Sequence, residues 1–529
     1  MPRARVVIAL IALVVIGGAL RAYRLGAQSF WNDEVVSWIS AQGSAWHVIT
    51  QREENSNILP LYYLVAAASL PLRTLIGVES ALRLPSVLVG TLSIPLLFMV
   101  VRTWLDARVA LLAAAVMTIS PFHVWYSQEA RPYALLLFLS LVALACVQRA
   151  LAQPGRWEWK AATAVAAAAT FYCHTVGVAF VGFLVVYVTL ATRVPQPVAA
   201  GNGGADARPS QSGHARREWV VAFLFMIALC LPGVYRLATY PPTVSADSAR
   251  SLSPLQFGYA LWSFAVGYSY GPSLEELHSP NHAALVARYG ATVIPVGIAL
   301  LVVTALGARS LGRRYPEARV PVALWLLFPL AFAALGAIVT VHPFNVRYTI
   351  ISFLPALVLI VVGLDALRGR ALRGLAWAGV GVVSVVALSG YYTDPRYARD
   401  DNRGAAAYLL AHANPDVLVI AHRAFTARIL RYYAPSATHI LGFPPERRAV
   451  AGSALTAELD ATVADVPRVW LFLSRATPEE DRQFLTFFDA RFRRTERYTS
   501  SGVQLIGYTR DTAAHPAPGG ERSSDVVPR

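Results

Sequence analysis

Val109 to Gln128 reads Val-Ala-Leu-Leu-Ala-Ala-Ala-Val-Met-Thr-Ile-Ser-Pro-Phe-His-Val-Trp-Tyr-Ser-Gln, and no Asp, Glu, Lys or Arg interrupts it. Roughly 20 apolar residues are what an α-helix needs to cross the hydrocarbon core of a bilayer. Comparable runs occur at Val6–Leu20, Leu84–Val101, Pro132–Gln148, Trp219–Tyr235, Tyr289–Ala308, Val320–Val341, Tyr348–Leu364 and Gly374–Thr393. Ala161–Thr192 is also uncharged, but at about 1.5 Å per residue it is too long for one span. It divides into two short spans around His174–Gly177, for a total of eleven.

Composition agrees. Hydrophobic residues make up 56% of the 529 and charged residues 15%, where a soluble domain carries about a quarter charged; mean hydropathy is +0.47. The chain is expected to be an α-helical polytopic membrane protein. Its net charge of +15 does not point to nucleic acid, because the arginines lie between apolar blocks, where cytoplasmic loops concentrate them. Cys146, Cys173 and Cys230 all fall inside apolar blocks and read as small core residues. The first block follows Arg3 and Arg5 like a signal sequence, but no small-x-small cleavage site follows, so it reads as a retained span.

With the N-terminus in the cytoplasm, the inner loops carry Arg102 and Arg108; Arg149, Arg156 and Lys160; Arg193, Arg208, Arg216 and Arg217; Arg309, Arg313, Arg314 and Arg319; and Arg368, Arg370 and Arg373. This alternation follows the positive-inside bias, and eleven spans put the C-terminus outside. Ile58–Leu72 is uncharged but short and holds Pro60 and Pro71, so it is read as interfacial. The expected membrane unit covers 1–393, with a first outer loop over 21–83 and a disordered inner linker over 193–217. The outer loop from Arg236 to Arg288 carries Tyr259, Trp262, Phe264, Tyr268 and Tyr270, as either a lid or an interfacial aromatic belt.

After Tyr392 the composition is that of a soluble domain, expected over 394–511. Arg403–Ala413, Ala424–Tyr433 and Glu479–Ala490 read as helices, and Asp416–Ala421 and Val466–Leu473 as strands. That order implies a small α/β unit with a largely parallel sheet. The polar tail over 512–529 is expected to be disordered.

Under this topology the outer face collects Asp33, Glu34, Glu129, Arg131, His174 and the His342–Arg347 stretch. Ionisable groups near membrane depth cost at least ~2.5 to 3.5 kcal/mol each at the bilayer centre, so they are functional candidates by default. Each also has a plain structural reading. Asp33 suits a helix start, Glu129 and Arg131 can pair within a loop, His174 can sit in a turn, and Arg347 can reach to the interface. No His, Asp or Glu group has metal-ligand spacing, so neither a metal nor a cofactor is expected.

The polar stretches carry a resemblance. They are Phe-Trp-Asn-Asp-Glu at Phe30–Glu34, Leu-Pro-Leu-Tyr-Tyr at Leu59–Tyr63, Ala-Leu-Arg-Leu-Pro-Ser at Ala81–Ser86, and the run from Ser120 to Tyr133. Tyr-Cys-His-Thr at Tyr172–Thr175, Asn-Val-Arg-Tyr at Asn345–Tyr348 and Asp401–Ala406 complete the set. In order and spacing the chain resembles the GT-C superfamily of polyprenyl-phosphate-sugar-dependent glycosyltransferases, near the protein O-mannosyltransferase and aminoarabinose transferase branch. The resemblance implies a catalytic acid in the first outer loop, which maps onto Asp33 with Glu34 beside it. It also implies substrate contacts at Trp31, Asn57, Tyr62, Tyr126, Gln128, Glu129, Tyr133, His174 and His342. Many relatives have His-Pro-Pro-Leu-Tyr where this chain has Asn57-Ile58-Leu59-Pro60-Leu61-Tyr62, which leaves the sugar open. No Trp-Trp-Asp motif of oligosaccharyltransferases is present. The β-trefoil domain of protein O-mannosyltransferases is missing as well, so a glycan or lipid acceptor is expected over a protein.

The expected chemistry follows from charge placement. A lipid-phosphate sugar brings its own leaving group, so the reaction needs a base for the acceptor hydroxyl, Asp33, and cations for the departing phosphate, Arg131 and Arg347. Direct displacement with one acting carboxylate inverts the anomeric centre. The expected setting is the inner or plasma membrane, with the α/β domain extracytoplasmic and membrane lipids around the spans. A transporter or lipid flippase is the competing reading, but flippase-type sites lie near the midplane, often between internal repeats, and no repeat is found. A non-catalytic membrane scaffold is a third.

Overall fold

The structure, a computed structural model, describes residues 2–51, 58–193, 210–239, 252–277, 282–339, 344–437, 439–444, 453–474 and 478–510. Asn57, His342, the tail over 512–529 and most of the linker expected over 193–217 lie outside the described residues. The chain divides into two compact units: Met1–Gln28 with Val36–Ala398, and Ser29–Val35 with Arg399–Arg529.

The first unit is helical. It begins with α1 (Arg3–Ala22), the C-terminal part of α2 (Asn32–Ser40), whose first four residues count with the second unit, and α3 (Ala45–Thr50). The short apolar stretch follows as α4 (Pro60–Ser69), a 3-10 turn (Leu70–Leu72) and α5 (Arg73–Ile76). Then come α6 (Val78–Val101), α7 (Ala107–Ile119), α8 (Pro121–Ser127), α9 (Tyr133–Ala152), α10 (Trp157–Cys173) and α11 (Gly177–Ala191). The remainder comprises α12 (Ser210–Thr239), α13 (Pro254–Val266), α14 (Leu274–Leu277), α15 (His282–Arg314), α16 (Pro316–Val339), a 3-10 helix (Val346–Ser352), α17 (Phe353–Ala366) and α18 (Arg370–Thr393).

Each expected span finds its helix, but the helices differ in reach. Among the described residues eight are long and apolar enough to cross a membrane, or nine if α7 and α8 count as one span bent by 59°. The bend has a local cause. Pro121 cannot donate to the ladder of α7, and Ser120 caps the new helix by accepting the His123 N–H at 3.3 Å. The long run Ala161–Thr192 does break at His174–Val176, and its halves, α10 and α11, have 17 and 15 residues, too short to pass by length. The Pro60–Ile76 stretch, read as interfacial from the sequence, likewise falls below that length.

The centre of the unit is α17, 94% buried over its spanning window. It lies against α15 at a pair of glycines, where a Cβ on Gly363 would meet the Val303 carbonyl oxygen at 1.9 Å and one on Gly307 the Leu359 oxygen at 2.0 Å. Small residues let membrane helices approach this closely and gain dispersion contacts over the whole crossing.

One end of this helical unit is tied by charge. Asp365, near the end of α17, meets Arg108 at 3.3 Å, Arg314 at 3.1 Å and Arg373 at 3.9 Å. These arginines come from three of the loops read as cytoplasmic. Lys160, with its side chain fully buried, pairs with Glu218 at 2.6 Å, again joining residues expected on that face.

The second unit is an α/β fold: α19 (Asn402–His412), β1 (Leu418–His422), α20 (Ala424–Tyr433), β2 (Ile440–Phe443), α21 (Ser453–Val463), β3 (Arg468–Ser474), α22 (Pro478–Asp489), β4 (Phe492–Ser500) and β5 (Val503–Arg510). The strand order is β2-β1-β3-β5-β4. β1 is parallel to both neighbours, as the sequence suggests, while β5 pairs antiparallel with β3 and β4. The sheet thus extends beyond its parallel core by a hairpin. β4 (Phe-Arg-Arg-Thr-Glu-Arg-Tyr-Thr-Ser) carries charges along its length, which blunts an edge strand against further pairing and also hides it from an apolar reading. Apolar clusters cover both faces of the sheet: Phe484, Phe488 and Leu459 on one, Ala405, Leu409 and Leu430 on the other.

Candidate active site

In the helical unit most of the candidate residues gather where helices stop. The turn between α8 and α9 holds Gln128, Glu129 and Arg131, all but buried at 5%, 4% and 3% exposure. Pro132 closes it, and the Pro132 carbonyl accepts the Cys173 thiol at 3.4 Å, which brings the α10–α11 break alongside. His174 occupies that break, its ring 5.6 Å from Tyr133 and 6.1 Å from Tyr348. Arg347 comes from the 3-10 helix before α17, whose first turn is capped by the Asn345 side chain accepting the Arg347 N–H. The Arg347 guanidinium lies over the Tyr348 ring at 5.5 Å.

Electrostatics joins these pieces. The Arg131 and Arg347 charges both act on the His174 ring, and Glu129 and Arg347 both act on Tyr268. Tyr268 and Tyr126 share a hydroxyl hydrogen bond of 2.9 Å, and Tyr126 packs edge-on against Tyr133 at 5.1 Å. Glu129, Arg131, His174, Arg347, Tyr126 and Tyr133 therefore form one cluster. The His174 Nδ1 accepts the Val176 N–H at 3.1 Å, so a neutral ring carries its proton on Nε2 and can donate from there. Two guanidinium groups, one carboxylate and an imidazole donor in a low-dielectric aromatic wall suit a phosphate-bearing ligand.

Two further expected contacts are Gln128, in the same turn, and Tyr62, on another helix. Gln128 commits its amide to the protein: Nε2 donates to the carbonyls of Arg21 at 2.9 Å and Tyr23 at 2.7 Å, and Oε1 accepts the Tyr391 hydroxyl at 2.8 Å. Tyr62 is buried on α4 against Tyr63. The aromatics of the loop before α15 divide. Phe264 and Tyr268 pack on Phe122 in the cluster, whereas Trp262 pairs with Tyr270.

In the second unit, Trp31, Asp33 and Glu34 stand at the start of α2. The Trp31 carbonyl accepts the N–H groups of Glu34 and Val35 at 3.0 and 3.1 Å, so Asp33 sits inside the first turn and does not cap it. Both acidic residues complement the helix dipole there. The Asn32 amide donates to Asp33 Oδ1 at 3.3 Å. Glu34 is fully buried and paired with Arg399. Asp401 caps α19 by accepting the Gly404 N–H. Burial pushes its pKa up, but hydrogen bonds from Tyr498, Gly404 and Ser500, with the Arg403 charge, outweigh this and leave it below the usual carboxylate range.

Sequence reasoning passed over several buried arginines, among them Arg399 and Arg83. Arg399 lies two residues before the quoted Asp401–Ala406 stretch. Arg83, inside Ala81–Ser86, is 2% exposed and donates to the carbonyls of Leu25 and Gln28 at 2.8 and 2.9 Å, holding the loop that leads to Asp33. An arginine inside an apolar run was the available signal for Arg83.

Residues 60–200 match the family model described as dolichyl-phosphate-mannose-protein mannosyltransferase, a stretch that holds Glu129, Arg131 and His174. The structure is similar to ArnT from Cupriavidus metallidurans in the apo state, with TM-score 0.58, 14% identity, and 95% of this chain and 97% of that one covered. The same ArnT bound to undecaprenyl phosphate gives TM-score 0.56 at 14% identity, over 96% and 98%. The oligosaccharyltransferase AglB from Archaeoglobus fulgidus, in complex with an inhibitory peptide and a dolichol-phosphate, gives 0.52 at 12%, over 97% and 75%. No curated protein matches the sequence.

Proposed function

We propose that this chain, whose fold is similar to those of ArnT and AglB and whose residues 60–200 match a mannosyltransferase family model, is a glycosyltransferase of the GT-C superfamily that moves a sugar from a polyprenyl-phosphate donor to a hydroxyl of a glycan or lipid on the extracytoplasmic face. One observation supports this above the others: buried His174 lies between the rings of Tyr133 and Tyr348, with Arg347 over the Tyr348 ring and buried Arg131 two residues before Tyr133. Such a set answers a phosphate ester that must leave as an anion.

The Asp33 carboxylate takes the proton of the acceptor hydroxyl, and the oxygen attacks the anomeric carbon as the bond to the phosphate oxygen breaks. The lipid phosphate departs with the bonding pair, and Arg131, Arg347 and the His174 Nε2–H balance its charge. One displacement inverts the anomeric configuration. Sidedness has support from the far end of the helices, where Asp365 collects arginines from loops of cytoplasmic character.

The test is a transfer assay on membranes with labelled polyprenyl-phosphate sugars, hexoses and pentoses together. Movement of one label to a glycan or lipid acceptor, abolished by Asp33→Asn, is the expected result. Movement of intact lipid-linked sugar across the bilayer without cleavage would replace this reading with the flippase one.

A further inference from the structure

The second unit takes in seven residues from the other end of the chain, and they are the ones that carry Asp33. Their attachment is specific. The Phe30 N–H donates to the Tyr433 hydroxyl at 2.6 Å, and the Phe30 carbonyl accepts the Asn402 amide at 3.1 Å. The Phe30 ring lies 5.5 Å from that of Tyr432. The Arg403 N–H reaches the Ser29 hydroxyl at 3.4 Å. Finally, Glu34 Oε2 meets Arg399 Nη1 at 2.5 Å, with the two side chains 0% and 5% exposed.

These contacts grip both main-chain groups of Phe30 on one side of Asp33 and the carboxylate of Glu34 on the other. A pair of buried opposite charges is a costly way to gain stability, but it fixes one geometry well. Glu34 and Asp33 are consecutive residues of the first turn of α2, so fixing Glu34 fixes the direction from which Asp33 leaves the helix. The same pairing gives the second carboxylate a cation of its own.

We propose that Arg399 is a positioning residue for Asp33: through Glu34 it holds the first turn of α2 on the C-terminal α/β unit, which thereby serves as the frame of the catalytic acid. This rests on the transferase reading for its kinetic consequence, though not for the clamp itself. Displacing a reacting group by about 1 Å costs on the order of 100-fold in rate.

The experiment compares Arg399→Met, Arg399→Lys, Glu34→Arg and the double Glu34→Arg/Arg399→Glu in the full-length protein. Two readouts are taken: steady-state transfer kinetics and amide hydrogen exchange of residues 29–35. Arg399→Met is expected to lower kcat by on the order of 100-fold, with the donor KM changed less than about twofold. Exchange over 29–35 should speed up while that over 418–433 stays as in the wild type. Arg399→Lys should recover part of kcat, and the charge-swapped double should exceed Glu34→Arg. Unchanged exchange over 29–35 in Arg399→Met, or a double no better than its single parent, would overturn the clamp. A wild-type protein that transfers no sugar would defeat the transferase reading instead, and the exchange experiment would still decide the clamp.

Discussion

The two ends of the helical unit use the same residue types in opposite ways. At one end Asp365 faces Arg108, Arg314 and Arg373, whose side chains are 61%, 47% and 30% exposed. At the other, Arg131 is 3% exposed and shares His174 and an aromatic wall with Arg347. Exposed arginines around a carboxylate are solvated and cheap to keep, and they hold loops together. A buried guanidinium is screened less, so its field on neighbouring groups is stronger. The contrast is one of setting, since both ends carry arginines beside acidic groups and only Arg131 among those named is buried.

The strongest challenge to that contrast is Arg131→Ala or Arg347→Ala. Either should cut transfer on the order of 100-fold, about 2.7 kcal/mol, with a raised donor KM, read in the labelled-sugar assay. Normal donor use in both would dissolve the distinction. Asp365→Ala should act in the complementary way, lowering thermal stability in detergent by about 1 to 3 kcal/mol while turnover per folded molecule is kept.

Asp106→Ala removes the cap of α7, since its carboxylate accepts the N–H groups of Arg108 and Val109, and should cost about 1 kcal/mol in the same melt. Burial pushes the Asp106 pKa up, but Tyr315, those two N–H groups and the Arg314 charge together bring it below its ordinary value. Its contribution is therefore present above the unfolded carboxylate range near pH 4 and disappears as pH falls through the lower folded pKa. Melts from pH 6 down to pH 3 should lose this increment in the wild type and show none in Asp106→Ala. Smallest of all, Arg108→Ala should cost under about 1 kcal/mol because that side chain is mostly in water.

Much of the helical unit was legible because length and charge are one-dimensional signals. Ala161–Thr192 had to break, and it breaks where a histidine and a glycine interrupt the apolar run. Ala424–Tyr433 is bounded as read. The hairpin of β4 and β5 was not legible, because Arg493, Arg494, Glu496 and Arg497 mask the alternation of β4. The partnership of Glu34 with Arg399 has no periodic trace, as it joins residues from opposite ends of the sequence. Tyr268 was read as lid or belt, and its bond to Tyr126 depends on where two loops meet. Asp365 closed an apolar run and drew no notice, though it organises three loops.

The amide of Gln128 has a consequence for how the protein is made. Its partners are the Arg21 carbonyl in the last turn of α1, the Tyr23 carbonyl just beyond it, and the hydroxyl of Tyr391 on α18, so it joins the first and last helices of the unit. A ribosome delivers those helices at opposite ends of its work on this unit, so the hydrogen bonds of the Gln128 amide are complete only once α18 has emerged. A nascent chain stalled earlier lacks that lock, and split or truncated versions missing either helix should be inert for the same reason.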